Sequence, residues 1–247
     1  MSRSAPATVN YSFGPGPWTQ AVRAIILTTI AVFVVNFFAP SLMVFLGFSP
    51  EIVWTRGWIW QPVTYLFVHG NLSHILFNML IVWMFGVDLE RRWGARGFTT
   101  YYFVTGVGAG VSVWLVALLP FAATAPLYSA LTIGASGACF GLLMAWALLF
   151  PKRTILFALI FPMEARYFVL ILGAIAFLFA MDPQGGPVAH VAHLGGLLFG
   201  YLYLAGPRHF RDQIRYRLMK WKMDRMRRRF NVHKGGRDDG PWSGRVH

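Results

Sequence analysis

Six blocks of apolar residues run along the chain, and its charged residues, Asp88 excepted, all lie outside them. The first block opens over residues 24–38 and can run on past Pro40. The others cover 72–89, 98–119, 133–150, 167–181 and 188–205. A hydrocarbon core takes about 20 helical residues to cross, and in lipid a lone apolar segment satisfies its backbone only by coiling into a helix. The pattern therefore predicts six membrane-spanning helices and an all-α fold. A polar, tryptophan-bearing loop, 48–71, separates the first two blocks. A further apolar stretch, 154–161, is too short to cross and stops at Pro162 and Glu164, which predicts an interfacial loop on the cytoplasmic side.

Composition agrees with this pattern. The chain is 56% hydrophobic and 13% charged, with a mean hydropathy of +0.53, whereas a soluble domain carries about a quarter charged residues. A soluble enzyme is excluded. The net charge of +13 raises the question of a nucleic-acid partner, and position decides against it. The basic residues stand between and after the apolar blocks and crowd into 208–229; such juxtamembrane clusters face the cytoplasm and anionic lipid. Arg91, Arg92 and Arg96 follow the second block, Lys152 and Arg153 the fourth, and the basic tail the sixth. The alternate loops carry Glu51, Arg56 and Asp182 and little else. Both termini are therefore expected in the cytoplasm, as an even number of spans requires.

In the tail, Phe210, Ile214, Leu218, Trp221 and Met226 interleave with the basic residues, which predicts a helix on the membrane surface. From Lys234 onward, glycine and charge predict disorder. The expected division is a short cytoplasmic segment, 1–23, a six-span domain, 24–206, and a basic cytoplasmic tail, 207–247. A single cysteine, Cys139, excludes an internal disulfide and a cysteine-rich metal site. The first block has no small-residue cleavage site and reads as a retained span. The compact core and the lack of an evident presequence favour a bacterial inner membrane, with an organellar membrane as the alternative.

Placed on this topology, a few polar residues converge. The fourth and sixth blocks both enter from the non-cytoplasmic side, so Ser136 and His193 lie at similar depth in one leaflet. That is the precondition for a nucleophile and its general base. Ser136 stands in Gly134-Ala135-Ser136-Gly137, where the glycines let a substrate backbone approach. Alone, this motif is more often a serine bonded to its own helix. His193 is followed by Gly196 and Gly200, and Ser136 by Gly137 and Gly141. Two such small-residue faces predict close packing of these spans, and an ionisable residue within a span is costly enough to be functional by default. His190, one turn outward, is expected to support the site. His69 precedes the second block, and His74 and Asn78 share one face of it; their donors could stabilise an oxyanion. Asn71 or Ser73 can cap that helix, but Asn78 is too deep to cap anything. Asp88 and Glu90 are at the wrong end, and Asp182 is the sole acidic candidate near the site, so a serine–histidine dyad is expected. There is no H-E-x-x-H for zinc and no pair of mid-span aspartates.

In this order and at a common depth, these residues resemble the rhomboid family of intramembrane serine proteases. The resemblance covers residues 60–200 and includes Glu90-Arg91-Arg92 and the tryptophan-bearing loop. It implies a six-transmembrane-helix rhomboid-like bundle with Ser136 as nucleophile and His193 as general base. His74, Asn78 and the Ser136 N–H would form the oxyanion hole, with no cofactor and no metal. It further implies single-span membrane protein substrates, cut near the outer end of their helix beside a small residue. Two departures from the family pattern stand out: Gln61 follows Trp60 where many members have arginine, and Phe140 stands where some stack a tyrosine on the histidine. The rival reading is a catalytically silent relative that binds membrane proteins; such relatives usually lack the serine or the histidine, and both are present. A small transporter would need broken spans and an internal repeat, and neither is evident.

Overall fold

The computed structural model describes residues 14–122, 124–157, 161–181, 187–206, 219–221, 223 and 225. Helix α1 spans Gln20–Phe38. It does not run on past Pro40: Ala39 turns out of the helix at φ −134°, ψ 75°, since a residue preceding proline is pushed from the α region. Three short helices follow, α2 (Ser41–Leu46), α3 (Pro50–Arg56) and α4 (Gln61–Thr64), with a 3-10 turn at Tyr65–Phe67. The loop they form is pinned by Gln61, which stands where an arginine was the alternative. Its buried amide accepts from the Ser49 N–H at 3.2 Å and donates to the Val44 carbonyl at 2.9 Å.

The second and third apolar blocks form one helix of 46 residues, α5 (Leu72–Ala117), broken at Gly94. Gly94 has φ 72°, ψ 166°, and a Cβ there would meet nothing within 4 Å. Backbone conformation rather than space therefore demands glycine. Helix α6 (Pro126–Ser129) precedes α7 (Ser136–Leu149). The fourth block thus becomes helical at Ser136 and not at Ile133, because Thr132 pairs with Phe48 and Gly134 sits at φ 106°. The stretch expected as a loop forms a hairpin instead: β1 (Thr154–Phe157) pairs antiparallel with β2 (Phe161–Glu164), Thr154 opposite Glu164. Pairing gives its backbone partners that an isolated apolar loop would lack. Helices α8 (Ala165–Ala180) and α9 (Pro187–Ala205) follow.

Among the described residues, three helices are long and apolar enough to cross a membrane, Gln20–Phe38, Leu72–Ala117 and Val188–Ala205, and two shorter ones are apolar. Their outward faces carry Phe37, Phe38, Leu170 and Leu178 more than 60% exposed (77, 79, 67 and 68%). Water would penalise such a surface, and lipid does not. This is an integral membrane fold. Its interior is polar in a controlled way: the buried Tyr65 hydroxyl donates to the Gly106 carbonyl at 2.6 Å, and Tyr101 donates to Gly141 at 2.7 Å.

The chain forms two compact units, Met1–Leu204 and Ala205–His247. In the second, residues 219–221 are helical, with the Arg225 guanidinium 5.3 Å from the Trp221 ring centre. The rest of the expected surface helix and the stretch from Lys234 lie outside the described residues, as does Asp182.

Candidate active site

The start of α5 is held by Asn71, whose side-chain oxygen accepts the His74 N–H at 2.8 Å and the Ser73 hydroxyl at 2.8 Å. This cap satisfies one orphan donor of the first turn and fixes where His74 emerges. One turn on, the buried Asn78 donates from Nδ2 to the His74 carbonyl at 2.9 Å. Its Oδ1 accepts from the Cys139 thiol at 3.4 Å. The amide is therefore oriented from both ends, by its own helix and by α7.

Gly134 is required twice over. Its φ of 106° is one that L side chains rarely adopt, and a Cβ there would stand 2.5 Å from the His74 Nε2. The turn then delivers Ser136 as the first residue of α7, with Ala135 as an N-cap that offers no side-chain bond. The first N–H groups of a helix lack intrahelical acceptors and carry its positive dipole end. Ser136 therefore sits among free donors.

Helix α9 closes against α7 through glycines. A Cβ on Gly196 would overlap the Gly137 carbonyl oxygen, and one on Gly200 would lie 3.2 Å from the Gly141 backbone. This is the close approach that the two small-residue faces predict. It brings Ala192 beside Gly137, and hence their neighbours His193 and Ser136 to one place. The His193 ring stacks flat on Phe140, with centres 4.2 Å apart and planes 7° from parallel. His190 stacks on Phe179 at 5.3 Å and meets His193 edge-on at 5.8 Å.

A cavity of about 630 Å³ is lined by Ser136, His193, His74, Asn78, Phe140 and Tyr65, among others. All four site residues expected from the sequence face this one space; His190 does not line it. No carboxylate is among the described residues of its wall. Asp88 pairs with Arg153 at 2.6 Å, and Glu90 caps α1 through bonds to the Thr19 hydroxyl and the Ala21 and Val22 N–H groups. Both lie well down α5 from His74. His69, to which the sequence motifs assign nothing, is buried just behind the Ser136 turn.

The sequence matches the Rhomboid domain over residues 56–208. The chain belongs to the rhomboid family. It is 34% identical over 139 residues to Rhomboid protein 1, mitochondrial, of Saccharomyces cerevisiae, covering 56% of this chain and 38% of that protein. To Rhomboid-like protease 1 of Toxoplasma gondii it is 27% identical over 171 residues, 66% of this chain and 52% of the relative. To Rhomboid protease GluP of Bacillus subtilis it is 26% identical over 163 residues, 66% of this chain and 29% of the relative. The chain thus spans about half, or less, of the length of these relatives. Family membership and the apolar helices together make this rhomboid an integral membrane protein, with relatives named as proteases.

Proposed function

We propose that this rhomboid is an intramembrane serine endopeptidase working through a Ser136–His193 dyad. The observation that carries the reading is the shared cavity, in which a serine at a helix start faces a histidine held by an aromatic ring. His193 takes the proton of Ser136 as Oγ attacks a substrate carbonyl carbon. The resulting oxyanion is met by His74, the Asn78 amide and the free N–H groups at the start of α7. His193 then returns the proton to the leaving amine as the C–N bond breaks, and water, activated in turn by His193, hydrolyses the acyl-enzyme. Phe140 keeps the imidazole plane fixed, the orienting part that the acidic third member has in triads.

The substrates are single-span membrane proteins. A carbonyl within an intact helix is bonded, so the substrate must unwind locally, and spans weakened by glycine, proline or polar residues are preferred. The distribution of basic residues supports six spans with both termini cytoplasmic and the cavity opening to the other side. The relatives are mitochondrial as well as bacterial, and it is the compact core that favours a bacterial inner membrane.

The decisive experiment compares wild type with Ser136→Ala on a single-span substrate reconstituted in lipid. Cleavage and labelling by a fluorophosphonate should both vanish, with expression and melting temperature unchanged. Cleavage retained by the variant would overturn Ser136 as the nucleophile; a wild type that neither cleaves nor takes the label would leave a binding role in its place.

A further inference from the structure

The turn that presents Ser136 is held from behind, by the loop preceding α5. Thr132 and Phe48 exchange two backbone bonds, of 2.9 and 2.7 Å, and the Gly134 N–H donates to the Tyr65 carbonyl at 3.0 Å. The next donor, the N–H of the fully buried Ala135, finds a side chain: the Nε2 of His69, 3.4 Å away. An imidazole nitrogen accepts only when it carries no hydrogen, so in His69 the hydrogen is on Nδ1. The Nδ1 lies 3.4 Å from the Phe67 carbonyl, which accepts it. These two bonds select one neutral tautomer. The ring is 1% exposed. Burial, with His74 adding to it, lowers its pKa to about 4, so the acceptor lone pair persists at neutral pH. The same ring packs edge-on against His74, with centres 4.8 Å apart.

We propose, on the basis of the protease reading above, that His69 is a positioning residue, whose Nε2 lone pair holds the Ala135 N–H and so sets the Ser136 turn in register with His74. It lines no part of the cavity and touches no reacting atom. Its effect is transmitted through two neighbours: one imidazole grips the nucleophile turn by a hydrogen bond and the oxyanion histidine by its ring. Without the acceptor, the Ala135 N–H has no partner in a dry interior, and the Gly134–Ala135 peptide is free to rotate away. A displacement of 1 Å at a reacting group can cost about a hundredfold in rate.

Two substitutions separate this role from simple packing. His69→Phe keeps a ring of similar size and removes the acceptor; His69→Gln keeps an acceptor oxygen at similar reach. Hydrogen exchange of the segment 132–138 should quicken about tenfold or more in the Phe variant. Its kcat should fall about tenfold or more, with KM within about twofold. The Gln variant should return both to within about threefold of wild type. If the Phe variant does not accumulate in membranes, His69→Asn, whose carbonyl is too short to reach Ala135, takes its place with the same expected losses. Wild-type exchange and kcat in the Phe variant would overturn the proposal, as would a Gln variant as impaired as Phe. A wild-type protein inert to substrate and fluorophosphonate, with the exchange difference intact, would bring down the protease reading while leaving the His69 bond in place.

Discussion

At the scale of single residues, the site depends on which groups are free and which are held. Asn78 has its oxygen engaged by Cys139 and one amide hydrogen by the His74 carbonyl. That leaves the second amide hydrogen for the cavity. Removing one oxyanion donor costs about 2.7–4 kcal/mol in a soluble protease. In the proposed mechanism His74 and the α7 N–H groups share the charge. Asn78→Ala should therefore lower kcat by about tenfold to a hundredfold without abolishing it, measured on a reconstituted substrate. An unchanged kcat would remove Asn78 from the oxyanion hole. Gly134→Ala should be harsher, since it forces a disfavoured φ and drives a methyl against His74. Fluorophosphonate labelling should fall by more than about tenfold, and Gly57→Ala, also at positive φ but in open space, should leave it near wild type. That Ser136, His193, His74 and Asn78 face one cavity was legible in the sequence because each breaks an apolar pattern. His69 was not, because its partner is a backbone N–H far along the chain. Cys139 was legible only as a single thiol, because nothing in its spacing reveals the Asn78 oxygen.

At the scale of elements, glycine spacing carried most of the information. The pairs Gly137/Gly141 and Gly196/Gly200 identify the faces by which α7 and α9 meet, and the structure has those backbones nearly touching. Gly196→Val should prevent that approach altogether, because even a Cβ overlaps the Gly137 carbonyl. The variant should lose labelling, and its melting temperature in detergent should drop by several degrees or more; a fully active, stable variant would mean that α7 and α9 need not meet there. Two elements were misjudged from hydrophobicity, for a common reason. The apolar run 154–161 and the start of the fourth block both read as featureless apolar chain, yet one pairs as a hairpin and the other is drawn into extended structure by Phe48. A count of apolar residues cannot detect a pairing partner elsewhere. The second error matters to the chemistry, because it moves Ser136 from one turn inside a helix to the helix start, where unpaired N–H groups surround it.

At the scale of the whole molecule, the anchors lie at the two ends of the first segment of α5, before its break at Gly94, and serve different purposes. Near the cavity, the Gln61 amide ties the first loop together, and the Asn71 cap fixes the origin of His74. Sixteen residues beyond His74, about 24 Å along the helix, Glu90 receives three bonds from the start of α1. A buried carboxylate bonded this way stabilises the helix N-terminus by capping and by its charge. It also locks the first span to the second just before the break at Gly94. The distance between these anchors separates stability from catalysis. Glu90→Ala removes the acceptor of two buried N–H groups and should cost roughly 2–4 kcal/mol, seen as a lower melting temperature and faster loss of activity on heating. Per folded molecule, kcat should remain within about twofold of wild type, since no site residue touches Glu90. Glu90→Gln keeps one acceptor oxygen but loses the charge and should fall between the two in stability. A Glu90→Ala protein that melts like wild type would deny the cap its role, and one that folds normally but cleaves tenfold more slowly would mean that the two ends of this first segment of α5 are mechanically coupled.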